Sequence, residues 1–113
     1  MSRVFVVQRP SYRDKSTNEW RDKYDLSAAA QYGDLVYLLG TRGNIPQSTQ
    51  ATVRLLREKL QDFGPEDYLV AIGDPVAIAA AAVIASGRTR GLLRVLKWDR
   101  RIEGYLPYML ELT

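Results

Sequence analysis

The sequence contains neither cysteine nor histidine, and these two absences exclude much of the chemistry that small proteins use. Without cysteine there are no disulfide bonds, no thiolate nucleophile and no zinc–thiolate site. Without histidine the chain lacks the usual general base, the Ser-His and Cys-His nucleophile systems and the commonest transition-metal ligand. We therefore predict a protein that is not an enzyme and that has no catalytic residues, no metal site and no cofactor.

Long hydrophobic segments are missing as well. The apolar run within residues 1–7 is too short for a signal peptide, and the alanine-rich run at residues 75–85 is too short to span a bilayer. The 113 residues suffice for one domain with one core. These features predict a single domain over residues 1–113 that is soluble and cytoplasmic and does not contact a membrane.

Charge is nearly balanced, with 16 Lys and Arg against 13 Asp and Glu, but it is segregated along the chain. Residues 1–24 and residues 86–113 each contain six basic and three acidic residues, whereas residues 25–85 contain four basic and seven acidic ones. Two basic ends around an acidic middle favour a polyanionic partner. An ordinary solvated surface explains the same pattern.

The stretch at residues 67–86 predicts the centre of the fold. Tyr68–Ile72 is a short, continuous apolar run, which is typical of a strand buried on both faces. Asp74 is suited to cap a following helix, and Pro75 suits the first helical position because its missing N–H costs nothing there. Residues 76–85 have no polar face, which predicts a helix that is covered on most sides.

Apolar runs and turn residues predict the other elements. Five segments are predicted strands: Arg3–Gln8, Asp34–Leu39, Tyr68–Ile72, Leu92–Trp98 and Tyr105–Leu112. Three segments are predicted helices: residues 25–33, 46–63 and 75–85. In the second helix one face is apolar: Val53, Leu56, Leu60 and Phe63. Residues 9–25 show no lasting period and are predicted to be a long loop, in which Trp20 and Tyr24 either cover an edge of the core or bind a ligand.

The order β-α-β-α-β-α-β-β predicts a small three-layer α/β domain of the Rossmann or flavodoxin-like type. We expect a mostly parallel five-stranded sheet with the strand order 2-1-3-4-5. Pro107 cannot donate to a β-ladder, which places the last strand at an edge. The short connection before that strand makes it antiparallel to its neighbour.

One candidate site follows from this topology, because ligands of open α/β sheets bind outside the carboxyl ends of the strands. The candidate residues of this crevice are Arg9, Trp20, Thr41, Arg42, Asn44, Gly73 and Asp74. Asp74 suits a ribose hydroxyl, a metal or a cationic group, but a plain helix cap explains it equally. Arg42 suits an anion, although the segment around it also fits a simple glycine turn. No glycine-rich phosphate-binding motif is present.

The second candidate site is the densest basic and aromatic cluster of the sequence. Its members are Arg88, Arg90, Arg94, Lys97, Trp98, Arg100, Arg101 and Tyr105. Basic side chains beside stacking rings are typical of proteins that bind single-stranded nucleic acid. A hairpin with solvated arginines is the alternative.

Three blocks of the sequence resemble blocks in small uncharacterised proteins of tailed bacteriophages. They are WRDKYDLS at residues 20–27, DYLVAIGDP at residues 67–75 and RVLKWDRR at residues 94–101. The resemblance implies a phage origin and an intracellular role in the infected bacterium. It also implies binding of host factors or nucleic acid, as is frequent among small phage proteins, and it supplies no catalytic residues.

Together these observations predict a non-enzymatic binding module, a phage accessory protein that binds nucleic acid or a host protein during infection. The alternative is a small nucleotide- or metabolite-binding domain that uses the crevice. A homodimer also fits the sequence. A hydrolase would need Asp74 together with Asp14, Asp22 or Asp25, and no spacing between them supports it.

Overall fold

The computed structural model describes residues 2–22, 25–40 and 48–113. In these ranges the chain forms seven strands: β1 Arg3–Gln8, β2 Ser11–Arg13, β3 Trp20–Asp22, β4 Asp34–Leu39, β5 Tyr68–Val70, β6 Leu92–Asp99 and β7 Gly104–Glu111. Two α-helices accompany them, α1 Thr49–Lys59 and α2 Pro75–Arg88. A single 3-10 turn lies at Ala30–Tyr32. None of the described helices is long and apolar enough to cross a membrane.

Five of the strands form the main sheet, in the order β4-β1-β5-β6-β7. This is the predicted order 2-1-3-4-5. All neighbouring strands are parallel except β6 and β7, which are antiparallel as predicted. Val4 of β1 lies between Leu35 and Tyr68 of its two neighbours. The α/β class and the mostly parallel sheet are therefore confirmed.

The position of Pro107 at the free edge has a backbone explanation. The N–H of Leu112 donates to the carbonyl of Gly91 at 2.7 Å, on the β6 side. Because N–H groups alternate in direction along a strand, those of the odd-numbered residues of β7 point away from β6. The donor that Pro107 lacks would thus have pointed out of the sheet, and the ladder loses no hydrogen bond.

One face of the sheet is covered by both α-helices. Its buried residues include Phe5, Leu38, Leu69 and Leu93 from the strands, and Leu56, Leu60 and Phe63 from α1 and the turn after it. Ser48 caps α1 by accepting a hydrogen bond from the N–H of Ala51. The helix ends at Lys59, earlier than the predicted 63, because the chain turns at Leu60 to bury Phe63. The predicted start near residue 46 lies outside the described residues.

The opposite face is covered by the segment between β3 and β4. Leu26 and Ala29 of this segment pack on Val4, Val6 and Leu96. The predicted helix at residues 25–33 is wrong: the segment forms turns that end in the 3-10 turn. The spacing of three between Leu26 and Ala29 suits the three residues per turn of a 3-10 helix, and the segment is too short to sustain an α-helix alone.

Helix α2 begins where the sequence predicts, with Asp74 as its cap, and continues to Arg88. The prediction that it is covered on most sides is wrong. Only Ala77, Ala81 and Ala85 are fully buried, whereas Val83 on the outer side is 72% exposed. Alanines on the inner side let the helix approach the sheet and α1 closely.

This one-sided packing predicts opposite results for two neighbouring alanines. Replacing Ala81 with leucine is expected to overpack the core and to lower the free energy of unfolding by about 1–3 kcal/mol. Ala79 is exposed, so the same replacement there is expected to change stability by less than about 0.5 kcal/mol. Urea denaturation of both variants checks this, and equal effects would contradict it.

Candidate functional site

A pocket of about 940 Å³ lies at the carboxyl edge of the main sheet. It is lined by residues that directly follow β1 and β5 and by residues at the end of β6. After β1 the chain crosses to the face covered by Leu26, whereas after β5 it enters α2 on the opposite face. The pocket therefore lies where the chain diverges to both faces, which is the usual ligand position in open α/β sheets.

Gly73 and Gln8 form one wall of the pocket. Gly73 has φ +127°, and a Cβ added to it would lie 2.4 Å from the Cβ of Gln8. The Oε1 atom of Gln8 accepts a hydrogen bond from the N–H of Asp74 at 2.8 Å. Gly73 is thus required for the close approach of Gln8, which in turn holds the first residue of the turn into α2.

Two carboxylates line the pocket, those of Asp25 and Asp74. Asp74 caps α2 by accepting a 3.1 Å hydrogen bond from the N–H of Ala77, so the predicted cap is confirmed, and the residue also lines the pocket. Asp25 accepts hydrogen bonds from the hydroxyl and N–H of Ser27, which lower the pKa of its carboxyl. In the described part of the chain no three acidic groups cluster in a way that could hold a metal ion.

The aromatic wall consists of Trp98 supported by Tyr105. The two rings are edge-on, with centroids 5.2 Å apart and planes at 70°. Trp98 is 41% exposed, whereas Tyr105 is only 3% exposed. Both residues line the pocket, and Tyr105, which is buried against the core, supports the more exposed indole of Trp98.

The two arginines of the β6–β7 turn differ in their surroundings. The guanidinium of Arg101 pairs with Asp99 at 3.3 Å, and the backbone N–H of Arg101 donates to the same carboxylate at 2.8 Å. These hydrogen bonds from Arg101 lower the pKa of Asp99. Arg100 lines the pocket and forms no ion pair with any residue that the structure describes. Of the two turn arginines, Arg100 is therefore the one that lines the pocket, and its positive charge is not paired with a described residue.

Arg9, which directly follows β1, also lines the pocket. Its N–H donates to the carbonyl of Leu39 at 3.0 Å, which extends the pairing of β1 with β4. Its guanidinium lies over the ring of Tyr37, 5.2 Å from the centroid. Arg9 is thus held at the rim by the neighbouring strand.

The predicted basic and aromatic cluster does not form one surface. Arg88 and Arg90 precede β6, whereas Arg100 and Arg101 follow it, and at about 3.3 Å per residue the strand separates the pairs by about 23 Å. Arg94 lies over the ring of Tyr68, 5.6 Å from its centroid. Lys97 is three residues along the same strand, so it lies on the other face of the sheet.

Among the described residues of the predicted crevice, only some line the pocket. Arg9, Gly73 and Asp74 line the pocket as predicted, whereas Trp20 does not. Thr41, Arg42 and Asn44 lie outside the described residues. Arg9 and Asp74 from the predicted crevice thus line the same pocket as Trp98 and Arg100 from the predicted basic cluster. No pattern in the sequence predicts that these residues lie together.

The predicted long loop at residues 9–25 contains a two-stranded hairpin. Strands β2 and β3 pair antiparallel, with Tyr12 opposite Arg21 and Arg13 opposite Trp20. At the tip Asp14 binds the N–H and hydroxyl of Ser16, which lowers the pKa of its carboxyl. Trp20 is 49% exposed, so it does not cover the core, while Tyr24 lies outside the described residues. The hairpin escapes a periodicity analysis because each strand has only three residues.

A family model described as Phage Pam3 gp32-like protein matches residues 2–112 of the chain. The match includes the main sheet, both α-helices and every residue named above as lining the pocket. No curated protein and no solved structure matches the chain significantly.

Proposed function

The chain belongs to the Phage Pam3 gp32-like protein family, and we propose that this phage protein is a non-enzymatic binding module that holds a nucleotide in its carboxyl-edge pocket. One observation carries the proposal. The exposed indole of Trp98 and the uncompensated guanidinium of Arg100 line the same pocket as the carboxylates of Asp25 and Asp74. An aromatic face, a cation and hydroxyl acceptors are the three features that a nucleotide requires.

Each part of a nucleotide has a matching group in the pocket. The base stacks on Trp98, an interaction that is tolerant of sequence because every base has a π-face. The phosphate binds Arg100, whose planar guanidinium can donate two parallel hydrogen bonds. The carboxylates of Asp25 and Asp74 repel the phosphate and accept hydrogen bonds from the sugar hydroxyls, so the charges orient the ligand.

We also infer that the fold is a three-layer, flavodoxin-like, doubly wound domain. The strand order and the position of the pocket support this inference. The third layer is the segment containing Leu26 and Ala29, in place of a full helix. With a nucleotide as ligand, the host cytoplasm is the compartment in which we propose that the protein acts.

Binding of nucleotides is expected to raise the melting temperature and to change the fluorescence of Trp98. A nucleotide at about 100 times its dissociation constant adds about 2.7 kcal/mol of stability. In a Trp20→Phe background, Trp98 is the only indole, so its emission reports the pocket directly. A panel of nucleoside mono- and triphosphates provides the ligands.

Arg100 and Arg101 provide a matched pair for this test. Arg100→Ala is expected to weaken nucleotide binding about 10-fold or more, because a charged hydrogen bond to the phosphate is lost. Arg101→Ala is expected to change the affinity less than about 2-fold, because Arg101 is already paired with Asp99. No response to any nucleotide in either measurement would reject the proposed function.

A host protein remains a second candidate partner, because β7 presents an exposed apolar edge. Tyr108, Met109 and Leu110 are exposed, and the N–H of Met109 points away from the sheet. An extended segment of a partner protein could pair with such an edge. Met109→Pro removes this outward donor without removing a bond to β6, so it should abolish binding of a strand partner and leave the fold intact. A partner that still binds this variant does not use the edge.

A further inference from the structure

The hairpin formed by β2 and β3 projects from the rim of the pocket and carries its own aromatic and basic residues. We propose that hairpin and pocket together form a continuous track for single-stranded nucleic acid, with the nucleotide in the pocket as one unit of the strand. This inference rests on the proposed function and names its ligand. It assigns a role to Trp20 and Arg13, neither of which lines the pocket.

Backbone geometry places these two residues in line with the pocket. Ser11, the first residue of β2, lines the pocket, and Arg13 lies two residues further on the same face of the hairpin. Trp20 is directly opposite Arg13 on β3. Two residues of an antiparallel strand span about 6.8 Å, so the Trp20 and Arg13 pair continues the pocket outward by that distance.

The two arginines of the hairpin strands lie on opposite faces and differ in their ion pairing. On the Tyr12 face, the guanidinium of Arg21 pairs with Asp14 at 3.0 Å. On the Trp20 face, Arg13 forms no ion pair with a residue in the described ranges. The cation that remains available to a phosphate therefore lies beside the indole of Trp20. Pairing of a stacking ring with a free cation is what proteins use to hold single strands.

A single strand fits this arrangement better than a duplex does. The indoles of Trp20 and Trp98 are both about half exposed, and bases can stack on them only when they are not paired within a double helix. Among the described residues of the track, the cations that form no ion pair are Arg13 and Arg100. Binding should therefore depend on stacking at least as much as on charge, with a shallow dependence on salt.

The experiment compares thymidine monophosphate with labelled oligothymidylates of three and twelve nucleotides and with a twelve-base-pair duplex, by fluorescence anisotropy and competition. The twelve-nucleotide strand is expected to bind at least 10-fold more tightly than the mononucleotide and than the duplex. With two phosphates neutralised, the log–log slope of affinity against salt concentration should be about −1.4.

Variants of the hairpin locate the effect. Trp20→Ala is expected to weaken binding of the twelve-nucleotide strand by about 10-fold or more and to leave the affinity for the mononucleotide unchanged. Arg13→Ala is expected to flatten the salt slope by about 0.7. Tyr12→Ala and Arg21→Ala, on the other face, are matched controls that should leave both affinities unchanged. Circular dichroism and melting temperature verify that each variant is folded.

Three results would overturn the proposed track. One is equal affinity for the mononucleotide and the twelve-nucleotide strand, which would leave the pocket as the whole site. The second is binding of the strand that Trp20→Ala does not weaken. The third is an affinity for the duplex equal to that for the single strand. Failure of every probe, the mononucleotide included, would reject the proposed function together with the track.

Discussion

Replacing Asp67 with alanine is expected to lower the free energy of unfolding by about 2–4 kcal/mol. The residue is only 4% exposed and lies just before β5. Its carboxylate accepts hydrogen bonds from the N–H of Arg3 at 2.9 Å, from the Arg3 guanidinium at 2.9 Å and from the N–H of Gly64 at 2.8 Å. Alanine would leave these donors without their acceptor at the point where β1 and β5 begin.

The exposed neighbour Asp62 provides the control. It pairs with the same guanidinium of Arg3 at 3.0 Å, but its side chain is 68% exposed. Solvent screens such a pair, so Asp62→Ala is expected to change stability by at most about 0.5 kcal/mol. A similar loss in both variants would show that the Arg3 charge, and not the buried carboxylate, stabilises this corner.

The contribution of Asp67 is also expected to depend on pH. Burial raises the pKa of its carboxyl, but hydrogen bonds from Arg3 and Gly64 and the charge of Arg3 lower it by more, so the pKa lies below its ordinary value of 3.8. A depressed pKa stabilises the fold above the ordinary value, and this stability is lost as the pH falls through the folded-state pKa. Urea denaturation at pH 7 and near pH 3 should therefore show a smaller difference between Asp67→Ala and the parent protein in acid. A difference that is independent of pH would contradict this.

Replacing Gly73 with alanine is expected to lower the free energy of unfolding by about 2–4 kcal/mol and to abolish the proposed binding of a nucleotide in the pocket. The positive φ of Gly73 disfavours any side chain, and the new Cβ would collide with the Cβ of Gln8. Gln8 cannot rotate its Cβ away because that atom is attached to β1. Movement of Gln8 also breaks its hydrogen bond to the N–H of Asp74 and displaces the turn that presents this carboxylate.

Gly87 is the matched control for Gly73. It lies within α2, and a Cβ added there meets nothing within 4 Å. Gly87→Ala is therefore expected to stabilise the protein by about 0.5–1 kcal/mol and to leave binding unchanged. Thermal unfolding and nucleotide titration of both variants check this pair. Full binding by a folded Gly73→Ala protein would show that the pocket tolerates a shifted Gln8.

The long strands and the capped helix could be predicted from the sequence because their causes are local. The bounds of β1 and β4 are the predicted ones, since each is an apolar run between polar or glycine residues. Helix α2 begins at Pro75 because Asp74 supplies the cap beside it. Strand β5 ends at Val70 rather than Ile72, because the N–H of Ile72 turns back to the carbonyl of Val70 at 3.0 Å.

Short elements and one-sided packing could not be predicted in this way. The hairpin of β2 and β3 has three-residue strands, which are too short to show a period. Leu26 and Ala29 fit a 3-10 spacing as well as an α-helical one, and only packing against the sheet selects between them. The exposure of Val83 depends on what lies outside α2, which the apolar composition of the helix does not specify.

The candidate site, too, could be predicted from the sequence only in part. The sequence alone determined the residue types that are available and the absence of histidine and cysteine. The strand order was an expectation by analogy with doubly wound sheets, which the structure confirms, and a ligand at the carboxyl edge stays a prediction. Only the tertiary structure decided that Arg100 forms no ion pair with a described residue while Arg101 is paired with Asp99, that Tyr105 is buried behind Trp98, and that Arg88 lies at the far end of β6. The physical reason is that propensity and periodicity act over a few residues, whereas ion pairing, exposure and proximity depend on residues that the sheet brings together from distant parts of the chain.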